Sequence, residues 1–251
     1  MGDQLLSLQG RVAVVTGAGR GIGAATACAF ARHGAHVVLI DLNGAGVAET
    51  AKTIGLAGGE ALPFTTDITD SFAVERLMDR VVEDLGGLDV LVNNAGIVRD
   101  AALVDVTDED WQETLDINLR GAMVCTRAAA PHMIARGRGR ILSAASVVAR
   151  HGNFGQTCYA ASKGGIVAMT RTWARELGPK GVTANAIAPG FVDTEMVKGV
   201  PKKVIARILK DLPAGRLGRA DEVAAVYLFL ASDLLSFING AVVGVDGGLL
   251  L

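Results

Sequence analysis

Seven short apolar runs, each separated from the next by a turn and a helix-length segment, constrain this chain more than any other feature. The runs are Arg11–Thr16, His36–Asp41, Ala61–Thr66, Val90–Asn93, Arg140–Ala145, Thr183–Ala188 and Ala241–Val245. The helical segments are Ile22–His33, Gly46–Ile54, Ser71–Leu85, Asp108–Ala135, Cys158–Leu177 and Asp221–Ser232. Near-continuous apolar runs suit strands buried on both faces, as in a parallel sheet. Strand and helix in alternation give βαβ units, and their right-handed crossovers make the sheet doubly wound. The expected class is α/β: a seven-stranded parallel sheet with helices on both faces. The 251 residues fit one domain, 1–251. One stretch, Phe191–Leu212, breaks the alternation. It follows Pro189-Gly190, carries Pro201 and holds an amphipathic piece, Val204–Lys210. It reads as a substrate-covering insertion, 191–212, within that domain.

The first run leads straight into Thr16-Gly17-Ala18-Gly19-Arg20-Gly21-Ile22-Gly23. Glycines there permit a tight turn and close approach of a pyrophosphate, and the next helix points its N-terminal N–H groups at it. Asp41 ends the second run about 20 residues on, where an acid meets the ribose hydroxyls. Strand, glycine turn, helix and acid together read as a single-domain Rossmann fold binding a dinucleotide. Asp41 would accept from the 2′- and 3′-hydroxyls of NAD and repel the 2′-phosphate of NADP. Arg20 pulls the other way, although a solvated loop arginine is its plainer reading. NAD is the expected cofactor, ahead of NADP.

Tyr159 and Lys163 lie four apart at the start of a helix, on one face. An ammonium beside a phenol favours the phenolate, so Lys163 is expected to lower the Tyr159 pKa and fit it for proton transfer. Ser146 follows the fifth strand, and Asn93-Asn94-Ala95-Gly96 ends the fourth. Both fall at the C-terminal edge of the sheet, where ligands bind in such folds. Asn118 lies in the long segment that follows.

These motifs, in this order, resemble the short-chain dehydrogenase/reductases over essentially the whole chain: Thr16–Gly23, Asp67, Asn93–Gly96, Asn118, Ser146, Tyr159, Lys163, and Pro189-Gly190 with Thr194. The resemblance implies catalytic roles. Tyr159 would be the acid/base and Ser146 would hydrogen-bond the substrate oxygen. Lys163 would hold the nicotinamide ribose, and Asn118 would support a proton-relay water. It also implies cofactor contacts at Gly17, Arg20, Gly21, Ile22, Gly23 and Asp41. Asp67 and Ile68 would flank the adenine, and Asn94, Ala95 and Gly96 would border the ribose. Ile187 and Val192 would lie near the nicotinamide, with Pro189, Gly190 and Thr194 beside them. The β-ketoacyl-carrier-protein reductases and acetoacetyl-CoA reductases are the most similar members. The segments that carry this are Gly139–Gly155, Pro213–Gly218 and Phe237–Gly248, although catabolic alcohol dehydrogenases share them. Asp41 departs from the NADPH preference usual among the fatty-acid reductases. The resemblance implies a homotetramer.

The expected function is hydride transfer between NAD(H) and a carbonyl or secondary alcohol, on a 3-oxoacyl thioester of carrier protein or CoA. The alternative is NAD-linked oxidation of another secondary alcohol. A dinucleotide sensor has no need of Ser146, Tyr159 and Lys163 together. An epimerase or dehydratase would need a longer chain and another glycine spacing. The substrate wall is expected from Val147–Gln156 and the insertion. Lys198, Lys202, Lys203, Arg207 and Lys210, and the run Arg136, Arg138 and Arg140 with Lys180, could meet phosphates or an acidic carrier; a solvated face is their plainer reading. His151 reads as a loop histidine, Cys158 as packing, and Trp111 and Trp173 as core or interface.

A net charge of −2 and a pI near 6.1 offer nothing to a polyanion, so nucleic acid is not an expected partner. Cys28, Cys125 and Cys158 lack metal-ligand spacing and are odd in number, which suits a reducing cytoplasmic setting. No metal site, signal peptide or membrane span is expected.

Overall fold

The computed structural model describes residues 6–200 and 202–249; Pro201 lies outside them. Strands β1 (Val12–Thr16), β2 (His36–Asp41), β3 (Glu60–Thr65), β4 (Val90–Asn93), β5 (Gly139–Ala144), β6 (Val182–Pro189) and β7 (Val242–Val245) form one parallel sheet in the order β3-β2-β1-β4-β5-β6-β7. The expected α/β Rossmann architecture is the one found. The long helices are α1 (Gly21–Arg32), α2 (Gly44–Leu56), α3 (Ser71–Leu85), α4 (Asp108–Leu115) and α5 (Gly121–Ala135). They continue with the short α6 (Val148–His151), then α7 (Thr157–Leu177), α8 (Glu195–Lys198), α9 (Lys202–Asp211) and α10 (Ala220–Ala231).

The apolar runs become strands because successive side chains serve opposite faces. In β1 and β2, Ala13, Val15, Val37 and Leu39 join one core with Phe30 of α1 and Tyr227 of α10. Val12, Val14, Val38 and Ile40 join the other, with Met78 of α3 and Met133 of α5. Truncating such a buried side chain costs about 2–5 kcal/mol. The helices start on local chemistry. Asp70 caps α3 by accepting from the Phe72 and Ala73 N–H groups, and Thr107 caps α4 through Asp110 N–H.

The segment expected as one helix, Asp108–Ala135, is two, joined by a π turn over Asp116–Arg120. Trp111, expected in a core or interface, is 40% exposed on α4, whereas Trp173 packs on the second core. Cys158 is buried, as a packing residue would be.

The basic run Arg136, Arg138 and Arg140 precedes or starts β5, and Lys180 precedes β6. All therefore sit at the N-terminal edge of the sheet, opposite the edge carrying Ser146, and do not line the catalytic cleft. Asp89, 3% exposed, draws Arg138 (2.9 Å), Arg11 (3.3 Å) and Arg136 (3.7 Å), and accepts from Val12 N–H. Arg140 meets Asp233 at 3.4 Å. Among the described residues, no helix is long and apolar enough to cross a membrane and no cluster of metal-ligating side chains occurs.

Candidate active site

The strand order reverses between β1 and β4, which opens a crevice at their C-terminal ends. Thr16 closes β1, and its hydroxyl donates to Val92 O while accepting from the N–H groups of Asn94 and Ala95. The Asn94 amide donates to the carbonyls of Thr16 and Gly17. The glycine turn is thus latched to the end of β4. A Cβ at Gly17, whose φ is +65°, would lie 2.8 Å from Ala95 Cα, and one at Gly23 would lie 2.0 Å from Gly17 O. Only glycine fits either position. Gly23 therefore packs beneath the cleft rather than lining it.

The first turn of α1 carries no acid, and Arg20 at its boundary provides no side-chain cap. Its leading N–H groups remain open to an anion. A cleft of about 410 Å³ runs past them, lined by Gly17, Arg20, Gly21, Ile22, Asp41, Asp67, Ile68, Asn94, Ala95, Gly96 and Thr194. This is the larger part of the expected cofactor set, in one place. The Asp41 carboxylate is fixed in the cleft wall by Gly19 N–H (3.0 Å) and Asn43 N–H (2.9 Å). Asp67 closes its own turn by accepting from Thr69, and Ile68 packs against the Gly121 position of α5. Pro189, Gly190 and Val192 shape the turn after β6. Gly190 lies against Asp246, and Val192 is buried in the first core. An open helix N-terminus, a side-chain-free turn and a fixed acid suit a pyrophosphate, its close approach and a ribose in turn.

The catalytic residues meet at the next crevice along. Ser146, just past β5, hydrogen-bonds the Tyr159 phenol in the first turn of α7. Lys163, one turn on and 4% exposed, donates to Ala144 O at 2.8 Å, with Nζ 5.5 Å from the centre of the Tyr159 ring. A Cβ at Gly96 would lie 3.0 Å from Asn118 Oδ1 and 3.6 Å from Lys163 Nζ, so the end of β4 reaches the same point. Asn118 sits in the π turn, 1% exposed. Its Oδ1 accepts from Ile97 N–H (2.8 Å), and its Nδ2 donates to Ile97 O (2.9 Å) and Ser162 Oγ (3.2 Å). Ser162 in turn donates to Tyr159 O.

One expectation is reversed in the chain alone. Lys163 was expected to lower the Tyr159 pKa; burial instead pushes the phenol up to about 12, the Ser146 hydrogen bond lowers it in part, and Asp100 raises it. Burial also pulls Lys163 down to about 8. Burial is the larger cause, and the ammonium spends its hydrogen bond on the Ala144 carbonyl. The sequence places Thr16 in the glycine turn but does not show its latching role, and it gives no sign of Ser162. A single hydroxyl that organises backbone groups leaves no periodic signal.

A second cleft, about 1240 Å³, opens beyond Gly96, Val147 and Gln156. Val147, Val148, His151 and Phe154 line one side, and Met196, Val204, Arg207 and Ile208 of the 191–212 segment line the other. Lys198 pairs with Glu195 on α8.

The family described as Enoyl-(Acyl carrier protein) reductase matches residues 17–250. The chain is 43% identical over 246 residues to the 3-oxoacyl-[acyl-carrier-protein] reductase of Thermotoga maritima, covering 98% of this chain and 100% of that one. It is 43% identical over 239 residues to the cis-4-hydroxycyclohexanecarboxylate dehydrogenase of Sinomonas cyclohexanicum, covering 95% and 96%. Among solved structures, one from Beutenbergia cavernae is described as a putative NAD(P)-dependent gluconate 5-dehydrogenase with NADP bound at low occupancy. It matches with a TM-score of 0.94 at 40% identity, covering 98% of this chain and 99% of that one.

Proposed function

The chain belongs to the short-chain dehydrogenase/reductase family of oxidoreductases, which act on CH–OH groups with a pyridine nucleotide, and from that premise we propose that it reduces a 3-oxoacyl thioester of carrier protein or CoA. The observation that carries the reading is the meeting of Ser146, Tyr159 and Lys163 at the end of a cleft fit for a dinucleotide. The Thermotoga maritima relative supplies the substrate class.

A bound nicotinamide supplies the hydride in reduction and accepts it in oxidation. The N-terminal N–H groups of α1 and the glycine turn would hold the pyrophosphate, and Asp41 would hold the adenine-side ribose. Lys163 lies where it can hold the other ribose. Ser146 donates to the substrate carbonyl oxygen and orients it. Tyr159 delivers its proton to that oxygen as negative charge develops there. A phenol held near pKa 12 remains protonated through the neutral range, as an acid for reduction must. In the oxidative direction the same group must first lose its proton, so oxidation gains speed as pH rises.

The cofactor we assign is NAD, although the Beutenbergia cavernae structure holds NADP. The Asp41 carboxylate, fixed by two backbone N–H groups, would meet a 2′-phosphate with like charge. Arg20 is exposed, and its charge acts on Glu195 across the cleft mouth. The same Asp41 favours a second reading, NAD-linked oxidation of another secondary alcohol. The 191–212 segment serves as the substrate cover. The assembly assigned is a homotetramer; Phe229, Leu234 and Phe237 are exposed apolar side chains for it to cover.

Initial rates of acetoacetyl-CoA reduction with NADH and with NADPH test the reading. Turnover is expected with NADH in excess of NADPH, and Tyr159→Phe is expected to lose about 10²–10⁴-fold. Activity confined to NADPH would reverse the Asp41 argument. Full activity in Tyr159→Phe would remove the acid/base assignment.

A further inference from the structure

The chain entering the catalytic helix is splinted from the side by a carboxylate. Gln156 stands at the N-terminal boundary of α7, yet its side chain does not cap the helix. Gln156 Nε2 donates to Asp100 Oδ1 at 3.0 Å, and Gln156 Oε1 accepts from Asn153 Nδ2 at 3.1 Å. Behind these contacts, Ala101 N–H donates to Gly155 O at 2.9 Å, and Ala101 pairs with Gln156 in an isolated parallel bridge. The segment after β4 therefore grips the turn just before α7. Tyr159 follows three residues later, in the first turn of that helix.

Asp100 also bears on the phenol electrostatically. Burial does most to raise the Tyr159 pKa, and the Asp100 carboxylate adds to it. The other charged or titratable groups around this end of α7 are accounted for. Lys163 faces the ring from its own helix, and Tyr227 of α10 is buried nearby. His151, Glu195, Arg207 and Asp211 line the wider cleft. Arg99 is turned to Glu113, Asp116 to Gln112, and Arg120 to the Thr69 carbonyl.

We propose that Asp100 is a positioning residue for hydride transfer: through Gln156 it fixes the first turn of α7 and with it the direction in which Tyr159 presents its hydroxyl. The proposal rests on Tyr159 being the acid/base. The clamp sets where the hydroxyl points, on which proton transfer depends.

Asp100→Ala removes the acceptor that Gln156 Nε2 uses, whereas Asp100→Asn keeps one. For reduction of acetoacetyl-CoA and oxidation of racemic 3-hydroxybutyryl-CoA, Asp100→Ala should lower kcat about tenfold or more with KM unchanged, and Asp100→Asn should restore kcat to near wild type. Gln156→Ala removes the clamp alone; kcat should fall about tenfold or more in both directions, with KM for the cofactor and the melting curve unchanged. Wild-type kcat in Asp100→Ala or in Gln156→Ala, or a loss in Asp100→Asn as large as in Asp100→Ala, would overturn the proposal while Tyr159→Phe remains inactive. Full activity in Tyr159→Phe would bring down the acid/base reading itself, and this proposal with it.

Discussion

At the strand starts, Asp89 is buried beside Arg11, Arg136 and Arg138 and accepts a backbone N–H. At the strand ends, Lys163 is buried as deeply, with a single carbonyl as its hydrogen-bond partner and no carboxylate within ion-pair distance among the described residues. One charge is satisfied several times over and ties the starts of β1, β4 and β5 together. The other is under-satisfied, and burial pulls its pKa to about 8. A buried charge is costly unless paired and hydrogen-bonded. The fold meets that requirement at one edge and leaves it open at the edge where a ligand can meet it.

Removing the satisfied charge should have the largest effect on stability. Asp89→Ala would leave the buried Val12 N–H without its acceptor and take a shared carboxylate from Arg11, Arg136 and Arg138, although Arg11 keeps Asp233 and Arg136 keeps the Gly86 carbonyl. We expect a loss of about 3–5 kcal/mol, read as a fall in Tm of roughly 10 °C. Activity per folded molecule should not change, since the cluster lies at the far edge of the sheet. A Tm within a degree or two of wild type would mean that the arginines relax into solvent, and the contrast between the edges would collapse.

Most of this contrast was legible in the chain, though part was misread. Strand positions follow from runs buried on both faces, so Arg11–Thr16 and His36–Asp41 emerge within one residue of β1 and β2. A phosphate contact is one of two readings the basic run permits, yet its place ahead of a parallel strand, with Ser146 behind it, already puts it at the opposite edge. The break in Asp108–Ala135 is different. The π turn coincides with the tie from Asn118 to the Ile97 backbone, a long-range contact that helical periodicity does not record. Helices α6 and α8, four residues each, are too short to show a period. The catalytic set was readable because Ser146, Tyr159 and Lys163 resemble a known motif in order and spacing. Thr16, Ser162, Asp100 and Gln156 act through hydrogen bonds to backbone groups and to neighbouring polar side chains, and no residue type announces that.

The under-satisfied edge makes the opposite prediction. The Lys163 pKa is lowered on folding, from 10.5 to about 8. Between those values the unfolded chain binds more protons than the native one, so stability rises with pH across that window. Below about pH 8 the ammonium opposes folding by a constant amount, about 3 kcal/mol by the same linkage. Lys163→Met should therefore stabilise the cofactor-free protein at pH 7, less about 1 kcal/mol for the lost Ala144 hydrogen bond. It should also flatten the alkaline rise in denaturant midpoint, while abolishing turnover. Destabilisation at pH 7 with the rise intact would show that the lysine is a structural partner, and the two edges would then differ less than their hydrogen bonds suggest.

Tyr227 sharpens the comparison at the smallest scale. It is fully buried in the core beneath the site, and its hydroxyl has no partner among the described residues. Burial drives its pKa upward, with Tyr159 adding to the push. An unpartnered buried hydroxyl loses its hydration with nothing in exchange, so deleting it should be neutral or favourable. Tyr227→Phe keeps the ring that packs against the Phe30 core and removes only the oxygen. We expect a gain of about 0–1 kcal/mol in urea unfolding, with an unchanged m-value and unchanged KM. A loss of 1 kcal/mol or more would reveal a hydrogen-bonded water or ligand oxygen at that hydroxyl, placing Tyr227 with the satisfied groups of the opposite edge instead of with Lys163.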